Sequence, residues 1–560
     1  MPLPTRRMIT HTKKTRRLVL TSTIVVAAIA GVMLMPLLSQ AAEVLYNGIR
    51  LPSPWPPKDH KVTLDPPAPA PYLLSPPAVI PIDVGRQLFV DNFLIEKTSL
   101  RRVFHPAKYH AVNPVVKPDK PWENEGPFPS AMVFSDGVWF DPHDRLFKMW
   151  YMGGYLNSIC LATSGDGIHW TKPVFDVRPG TNVVHTANRD STTIWLDLEE
   201  KDPSHRYKLM HYLHPGGTET VTVHYSPDGI HWGDAMARSG PCGDRSTIFR
   251  NPFRKVWVYS IRAGTPEVGR CREYWETRDL AEGAKWNAGE PTLWVGADRL
   301  DPRRADLDTQ PQLYNLDCVA YESLMIGLFT IWRGQGQDRA KPNDIAVGFS
   351  RDGFNWDRPS RKVFIPLSER YGDWNWGNIQ SAGGCCLVVG DKLYFYVSGR
   401  AGVQGSRDSG VCGTGLAVLR RDGFASMAAR GAEGALTTRP VTFSGKHLFV
   451  NADVDGGELR AEALDRNGKV IPPFTRANCV AVKADKTLQQ LKWKGAKDLA
   501  RLAGKPVRFR FYLRNGELYS FWVSPDQSGA SRGYVAAGGP GFTGPADTVG
   551  SAAYRAAAGQ

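Results

Sequence analysis

Short alternating segments of apolar and polar residues dominate this chain. Segments such as AMVF, FKMWYMGG and KLYFYV carry apolar side chains at alternate positions or in short runs, and Gly, Pro, Asn or Asp residues separate them. Alternation with a period of two is typical of β-strands, and these separators are typical of turns. Few segments have the longer spacing of an amphipathic helix. The pattern predicts an all-β protein.

One short motif recurs along the chain and sets a period. Its three clear copies are SGDGIHW, SPDGIHW and SRDGFNW, at residues 164–170, 226–232 and 350–356. Asp-Gly supplies the acceptor and the positive φ of a tight turn, and the Trp gives the next strand a large apolar anchor. Two weaker copies contain Asp279 and Asp422, so the five Asp residues lie 51 to 73 residues apart. Such a period is typical of four-stranded blades, and it predicts a five-bladed β-propeller over residues 86–428.

The segments on either side of this repeat differ in character. Residues 43–85 are rich in Pro, which predicts an extended linker or a strap on the next domain. Residues 87–95 alternate between apolar and polar side chains, and we expect them to close the last blade of the ring. Residues 429–525 alternate again between Gly and Asn turns, which predicts a C-terminal β-sandwich. Residues 526–560 are rich in Gly, Ala and Ser, which predicts a disordered tail.

The N-terminus predicts export from the cytoplasm. Basic residues up to Arg17 precede an apolar stretch at residues 18–38 and the small-residue sequence SQAA at 39–42. This order is that of a signal peptide, and the apolar stretch is also long enough for a membrane anchor. We therefore expect residues 1–42 to be a signal peptide or an anchor. The protein would be secreted or periplasmic, with membrane contact only through an uncleaved N-terminal segment.

Charge and cysteine content narrow the classes of partner. The formal net charge is +14, and six basic residues before Glu43 contribute to it. The body of the chain has no run of Lys and Arg and no nucleic-acid motif, so no nucleic-acid partner is expected. The eight cysteines include no Cys-x-x-Cys pair, and no metal or other cofactor is predicted. Export allows disulfides between them.

Several arginines are candidates for binding an acidic group. In a propeller, the polar clusters before the first strand of each blade meet at one mouth of the central funnel. The second strands return to the same mouth and end near Arg262, Arg333 and Arg400. With Arg189 and Arg245 they would form a cationic rim for a uronate, sulfate or carboxylate, unless they pair with carboxylates of the funnel itself. Trp122 and Trp376 are candidates for stacking on sugar faces.

The layout of the chain resembles that of the five-bladed propeller glycosidases of glycoside hydrolase families 32 and 43. The resemblance covers about residues 86–524 and includes the sandwich appended in family 32. Phrases such as LFVDNFLIE, FKMWYMGG and LAVLRRDGFAS are similar to those of uncharacterised bacterial proteins labelled as relatives of family 32.

That resemblance implies three catalytic carboxylates, one at the opening of each of the first three blades. Arg189-Asp190 is similar to the Arg-Asp-Pro motif of family 32, with Ser191 in place of Pro, and Asp244 stands in place of a Glu. The first-blade motif is matched only by the Trp and the Asn-acid pair of WENEGPFPSAMVF. The implied roles are Glu125 as base or nucleophile, Asp190 as transition-state stabiliser and Asp244 as acid. Each acid has the alternative of capping a turn or pairing with an arginine.

Together these features predict an exported glycoside hydrolase that acts on a polysaccharide or oligosaccharide, which would be acidic if the arginine rim binds it. Two alternatives stay open. One is a propeller that binds glycans without cleaving them, because a fold alone does not give an activity. The other is a polysaccharide lyase on uronate-containing glycans, for which His185 or His211 would serve as the base.

Overall fold

The computed structural model describes residues 42–187, 189–213, 217 and 219–558. The predicted signal peptide or anchor falls, apart from Ala42, outside the described residues. Within these ranges no helix has the length and apolarity needed to cross a bilayer.

The all-β class is confirmed: strands make up nearly all of the regular structure.

Residues 43–85 do not form a free linker but lie on the rest of the chain. The His60 ring contacts the Trp294 carbonyl at 2.8 Å, and the Arg299 amide donates to the Leu64 carbonyl at 2.9 Å. The N-terminal elements are α1 (Pro71–Leu74), β1 (Ile80–Pro81), β2 (Gln87–Leu88), β3 (Ile95–Thr98), β4 (Arg101–Phe104) and β5 (Lys108–Tyr109).

Antiparallel sheets succeed one another along the middle of the chain. The first sheet contains β6 (Ala131–Asp141), β7 (Leu146–Gly153), β8 (Ser158–Ser164) and β9 (Val183–His185). The second contains β10 (Thr192–Leu196), β11 (Tyr207–Leu213), β12 (Thr220–Ser226) and β13 (Ala237–Arg238). The third contains β14 (Thr247–Asn251), β15 (Val256–Thr265), β16 (Gly269–Thr277) and β17 (Thr292–Gly296).

The next two sheets are completed by strands from elsewhere in the chain. The fourth contains β18 (Gln312–Glu322), β19 (Leu324–Trp332) and β20 (Asn343–Ser350). The fifth contains β21 (Asn378–Ser381), β22 (Leu387–Val389), β23 (Lys392–Arg400) and β24 (Cys412–Arg420), and β5 pairs with β24 as its last strand. The first strands of the sheets contact one another in the cyclic order β6, β10, β14, β18, β21 and back to β6. Their polar termini therefore face a common centre.

The recurring motif marks one place in every sheet of this series. Asp166, Asp228, Asp279, Asp352 and Asp422 each lie two residues after the end of a strand, namely β8, β12, β16, β20 and β24, one in each of the five sheets. In the second sheet, Asp228 accepts the amide N–H groups of Ile230 and His231 at 2.8 and 2.9 Å, and the Ser226 hydroxyl accepts that of Gly229. Gly229 has a φ of +78°, as the turn requires. The turn chemistry predicted for the motif is confirmed.

Two further sheets hold the C-terminal part of the chain. Their C-terminal strands are β25 (Ala425–Ala429), β26 (Gly434–Thr438), β28 (His447–Asp453), β29 (Glu458–Leu464), β30 (Asp485–Gln490), β31 (Arg508–Arg514) and β32 (Gly516–Ser524), whereas β27 (Val441–Thr442) pairs in parallel with β1. One sheet has the order β30-β28-β32-β25-β4, and the other the order β29-β31-β26-β3. They share a separate apolar core with the N-terminal segment.

Residues 87–95 do not close the ring, contrary to the prediction. Gln87–Leu88 pairs with β32, whereas Lys108–Tyr109 provides the closing strand of the fifth sheet. The reason is the apolar content of the earlier segment: the Phe89 ring stacks on Phe521, 5.7 Å between centroids, inside the C-terminal core.

Residues 526–558 are ordered, whereas the sequence predicted a disordered tail. Strand β33 (Tyr534–Val535) pairs with β18 as an edge strand of the fourth sheet, and helix α2 (Ser551–Ala558) comes after it. Small residues make this possible because they let the tail lie flush against the fifth sheet. A Cβ atom added at Gly539 would come within 1.8 Å of the Val388 carbonyl oxygen.

Candidate active site

The segments before β10 and β14 meet at the centre of the ring and bring acids and arginines together. Arg189 and Asp190 precede β10, and Asp244 and Arg245 precede β14. The Arg245 amide donates to the Ser191 hydroxyl at 2.7 Å and so ties the two segments to each other. Arg245 has a φ of +65°, a conformation that L-residues rarely adopt away from special sites. The sequence predicts that these four residues lie near one another, and the structure brings their two segments together.

Asp190 is the carboxylate of this group that lacks an arginine clamp. It lies just before β10, is partly buried, and takes part in no salt bridge among the described residues. Burial raises the pKa of Asp190, the Asp244 charge raises it further, and Arg245 opposes both effects. This carboxyl group therefore keeps its proton at a higher pH than an ordinary Asp.

Asp244 is more open and faces an arginine at longer range. Its Oδ1 lies 3.5 Å from Nε of Arg262, and the side chains of the two residues are 37% and 32% exposed. Gly243 allows this approach, since a Cβ at that position would lie 2.4 Å from Cδ of Arg262. The pair lies where a ligand could reach it from solvent.

Arg245 is buried among aromatic rings, with no charged partner in contact. It is 2% exposed, and its guanidinium lies 3.6 Å from the centroid of the Phe134 ring. None of its three guanidinium nitrogens has a hydrogen-bond partner in the described part of the chain. Burial lowers the pKa of Arg245, while Tyr314 and Asp190 support the charge. The charge is thus held in place without direct neutralisation.

Asp136 is a further carboxylate of the centre that sequence reasoning missed. It lies within β6, fully buried, and accepts a hydrogen bond from Nη1 of Arg189 at 2.5 Å. Burial raises the pKa of Asp136 to about 6, against the effect of Arg189. Its sequence context, SDGVW, has the form of the recurring turn motif, so no signal in the sequence separates it from a surface turn.

Arg400 joins this centre from the end of β23. It is buried, its Nη1 donates to the Ser409 hydroxyl at 3.2 Å, and its guanidinium lies 5.9 Å from the Phe134 ring and 5.3 Å from the Tyr155 ring. Arg189 also lies 5.9 Å from Phe134. Three guanidinium groups therefore lie near the Phe134 ring, an arrangement that depends on tertiary contacts and had no sequence signal.

Other predicted site residues lie outside this cluster. Glu125 is held by Arg178, with oxygen to nitrogen distances of 2.6 and 2.9 Å, and by Asn157 at 3.0 Å. The hydrogen bond from Arg178 lowers the pKa of Glu125. Arg333 is locked by Asp344 at 2.7 Å and by the Pro302 carbonyl.

The two candidate tryptophans have protein partners. Trp122 donates its indole N–H to Asn182 Oδ1 at 2.8 Å. Trp376 is buried, and the Arg339 guanidinium lies 4.6 Å from its ring centroid. Trp376 therefore offers little free face to a sugar.

The histidines considered as lyase bases lie beside one another on the second sheet and its neighbour. The His185 and His211 rings are 5.0 Å apart, and His224 lies 6.1 Å from His185. Burial lowers the pKa of His185 to about 4, with His224 and Arg189 adding to the effect. His185 is thus neutral at physiological pH.

Neither metal ligation nor disulfide bonding is evident at the site. In the ranges the structure describes, no cluster of His, Cys, Asp and Glu side chains has the arrangement of a metal site. All eight cysteines are free, and Cys385 and Cys386 are buried in the core.

Comparison with known proteins gave distant structural likenesses. No family model and no curated protein matches the chain. An N-acetylgalactosamine deacetylase from F. plautii, solved with blood group B trisaccharide, is 15% identical, with a TM-score of 0.36, over 58% of this chain and 96% of its own. A thermostable family-43 glycoside hydrolase is 9% identical, with a TM-score of 0.38, over 54% and 95%. A fructofuranosidase from Schwanniomyces occidentalis, solved with fructosylnystose, is 11% identical, with a TM-score of 0.33, over 74% and 96%. Each likeness is remote, so none assigns an activity to this chain.

Proposed function

We propose that this chain is an exported glycoside hydrolase, built as a five-bladed β-propeller with a C-terminal β-sandwich. The cyclic contacts of β6, β10, β14, β18 and β21 support the propeller, and the two sheets over β25–β32 support the sandwich. The basic N-terminus and the apolar segment after it support export, either as a signal peptide or as an anchor.

The catalytic pair in this proposal is Asp190 and Asp244. The observation that carries it is Asp190, a nearly buried carboxyl group with a raised pKa and no arginine clamp among the described residues, beside a second and more open carboxylate. Glycoside hydrolysis needs one protonated carboxyl group and one ionised carboxylate. Asp190 would donate its proton to the leaving glycosidic oxygen, and Asp244 would attack the anomeric carbon or activate water on the opposite face. These roles differ from those implied by the family resemblance, in which Asp190 is the transition-state stabiliser and Asp244 the acid, because burial favours the proton on Asp190.

Hydrolysis assays on the full chain would test this pair. We expect Asp190→Asn and Asp244→Asn each to reduce kcat about 100-fold or more on a glycan that the wild type cleaves, since each removes an acid or base function. Activity of the wild type should decline as pH rises through the raised pKa of Asp190. Reducing-end release from neutral and acidic oligosaccharides measures both effects.

Two further variants complete that experiment. Asp176→Asn is the matched control, because Asp176 is exposed and contacts only the turn residue His231 among the described residues. Glu125→Gln tests the third carboxylate implied by the resemblance, whose Arg178 pairing argues for a structural role. Full activity in both Asp190→Asn and Asp244→Asn would contradict the proposed pair.

A glycan-binding protein without hydrolytic activity is the second candidate. It is favoured by the arginine partners of Glu125, Asp136 and Asp244, since paired carboxylates bind more readily than they react. Retention on an immobilised glycan with no release of reducing ends would support it. Unsaturated products, detected by ultraviolet absorbance, would instead indicate elimination by a lyase.

A further inference from the structure

The strongest unexplained feature of the centre is the pair of buried arginines Arg245 and Arg400. No salt bridge within the described chain involves either of them, although both are more than nine-tenths buried. A buried charge without a partner is costly, so its presence calls for a partner that the chain itself does not supply. The three orphan nitrogens of Arg245 offer a planar fork of donors, which matches the geometry of an oxyanion.

The neighbouring groups leave this charge available. Arg189 is already neutralised by Asp136 at 2.5 Å, whereas Arg400 makes a hydrogen bond only to the neutral Ser409 among the described side chains. The carboxylates Asp190, Asp244 and Asp317 influence Arg245 only through space. The centre therefore has two guanidinium groups with unused hydrogen-bonding capacity.

Phe134, whose ring lies 3.6 Å from the Arg245 guanidinium, has an unusual backbone conformation. Its φ is +47°, a genuine outlier for a bulky residue, and it lies where the pairing of β6 with β7 shifts register between Met132 and Gly137. Its ring packs in a small apolar cluster with Met132, Met152 and Cys412, separate from the main core. Strain of this kind is kept at sites that bind or switch.

Further cations extend from this centre along Tyr314. Arg270 and Lys341, both partly exposed, lie 5.7 and 5.6 Å from the Tyr314 ring, and Arg245 lies 5.9 Å from the same ring. Cations that line a cleft raise the local concentration of anions. An anionic ligand would therefore be drawn toward Arg245.

We propose that Arg245 and Arg400 form a binding site for an oxyanion of the substrate, a carboxylate or a sulfate, and that the Phe134 ring covers this site until the ligand displaces it. The inference rests on the proposed function for the view that a carbohydrate carries the anion. Binding of the anion itself does not depend on hydrolysis. The site would thus select acidic glycans, with Phe134 moving aside as the substrate enters.

Titration calorimetry with free anions tests the site directly. The probes are sodium sulfate, sodium glucuronate and neutral glucose, added to the full chain at low salt. We expect one of the anions to bind and glucose not to bind. Arg245→Gln should weaken anion binding about tenfold or more, as expected for loss of charged hydrogen bonds. Phe134→Ala should strengthen binding, because the covering ring is gone.

Matched variants keep the result interpretable. Arg250→Gln is the control, since Arg250 lies on β14 near Arg245 in sequence and also has orphan guanidinium nitrogens, but it lies at the opposite end of that strand. If Arg245→Gln does not fold, as judged by circular dichroism, Arg400→Gln carries the same expectation. Equal affinity in the arginine variants and the Arg250→Gln control, or no anion binding by wild type and Phe134→Ala, would overturn the proposal.

The comparison of anions identifies the source, because preference for glucuronate indicates a uronate and preference for sulfate indicates a sulfated sugar. Anion binding without hydrolysis by Asp190 and Asp244 would leave this site standing and remove the proposed activity. Hydrolysis of neutral glycans by a chain that binds no anion would instead remove this site and leave the proposed activity standing.

Discussion

Two Asp residues of β6 differ in pKa because their surroundings differ, although their side chains are chemically identical. Asp136 is fully buried, and its pKa rises to about 6 despite the contact with Arg189. Asp141, in the same strand, is also buried, yet Lys148, Tyr207 and Arg206 overcome the effect of burial and lower its pKa. Burial alone therefore does not decide the protonation state, and the number of donors around each carboxylate does.

This contrast predicts a pH-dependent stability at Asp136. Its folded pKa lies above the unfolded value, so the folded state binds the proton more tightly, and its contribution to stability falls as pH rises from about 4 to about 6. The difference of about two pKa units corresponds to about 3 kcal/mol. We expect the free energy of unfolding of Asp136→Asn not to show this decrease with pH, as measured by urea unfolding between pH 4 and 7.

The control for that measurement is Asp141→Asn. Its lowered pKa gives a contribution that is present above the unfolded pKa and lost as pH falls, so this variant should lose stability most at neutral pH. Identical pH profiles for wild type and Asp136→Asn would contradict the assignment of a raised pKa to Asp136.

At the level of elements, one strand of each sheet in the ring leads into an Asp-containing turn. The turns differ in how many hydrogen bonds the Asp side chain accepts. Asp228 accepts two backbone N–H groups and contacts the His231 ring, whereas Asp279 accepts only the Glu282 amide with its side chain among the described contacts. Asp422 has become part of a buried ionic cluster with Arg86, at 3.1 Å. The Asp residues of the repeat therefore keep the same position in each sheet, whereas the partners of their side chains differ.

Alanine substitutions should reveal this difference in strength. We expect Asp228→Ala to lower the free energy of unfolding by about 1 to 2 kcal/mol, because it leaves two amides without their acceptor. Asp279→Ala should cost less, since it removes a single acceptor bond. Chemical denaturation of the two variants measures the effects, and equal losses would show that the side-chain acceptors do not govern these turns.

At the level of the whole molecule, both ends of the described chain are built into the ring. Strand β5 completes the fifth sheet from the N-terminal side, and β33 completes the fourth from the C-terminal side. Near β33, Arg421 lies 3.1 Å from Glu322 and 3.4 Å from Asp547, and all three side chains are fully buried. The tail therefore supplies both a strand and a buried charge to the core.

Truncation at residue 525 tests this role of the tail. It removes β33 and Asp547, and we expect it to cost about 3 kcal/mol or more, because β18 loses its pairing strand and the buried Arg421 loses one of its two carboxylate partners. Differential scanning calorimetry should show a lower Tm. Truncation at residue 550 separates the two contributions, since it retains β33 and Asp547 but removes α2 with Tyr554, which contacts Arg86 and Arg421. Equal Tm values for the full chain and the chain ending at residue 525 would show that the tail is dispensable.

Three features follow from the sequence alone: the all-β class, the repeat, and the proximity of Arg189–Asp190 to Asp244–Arg245. All three arise from the order of residues over short stretches of chain. Alternation and Asp-Gly turns act between near neighbours, and residues just before the first strand of a sheet must lie at the same end of the ring. The tertiary structure alone decides which charges are buried together, because burial depends on contacts between segments far apart in the chain. Such contacts explain four features: the burial of Asp136 from a turn-like SDG, the packing of Phe134 near three arginines, the pairing of Glu125 with Arg178 and the ordered tail at β33.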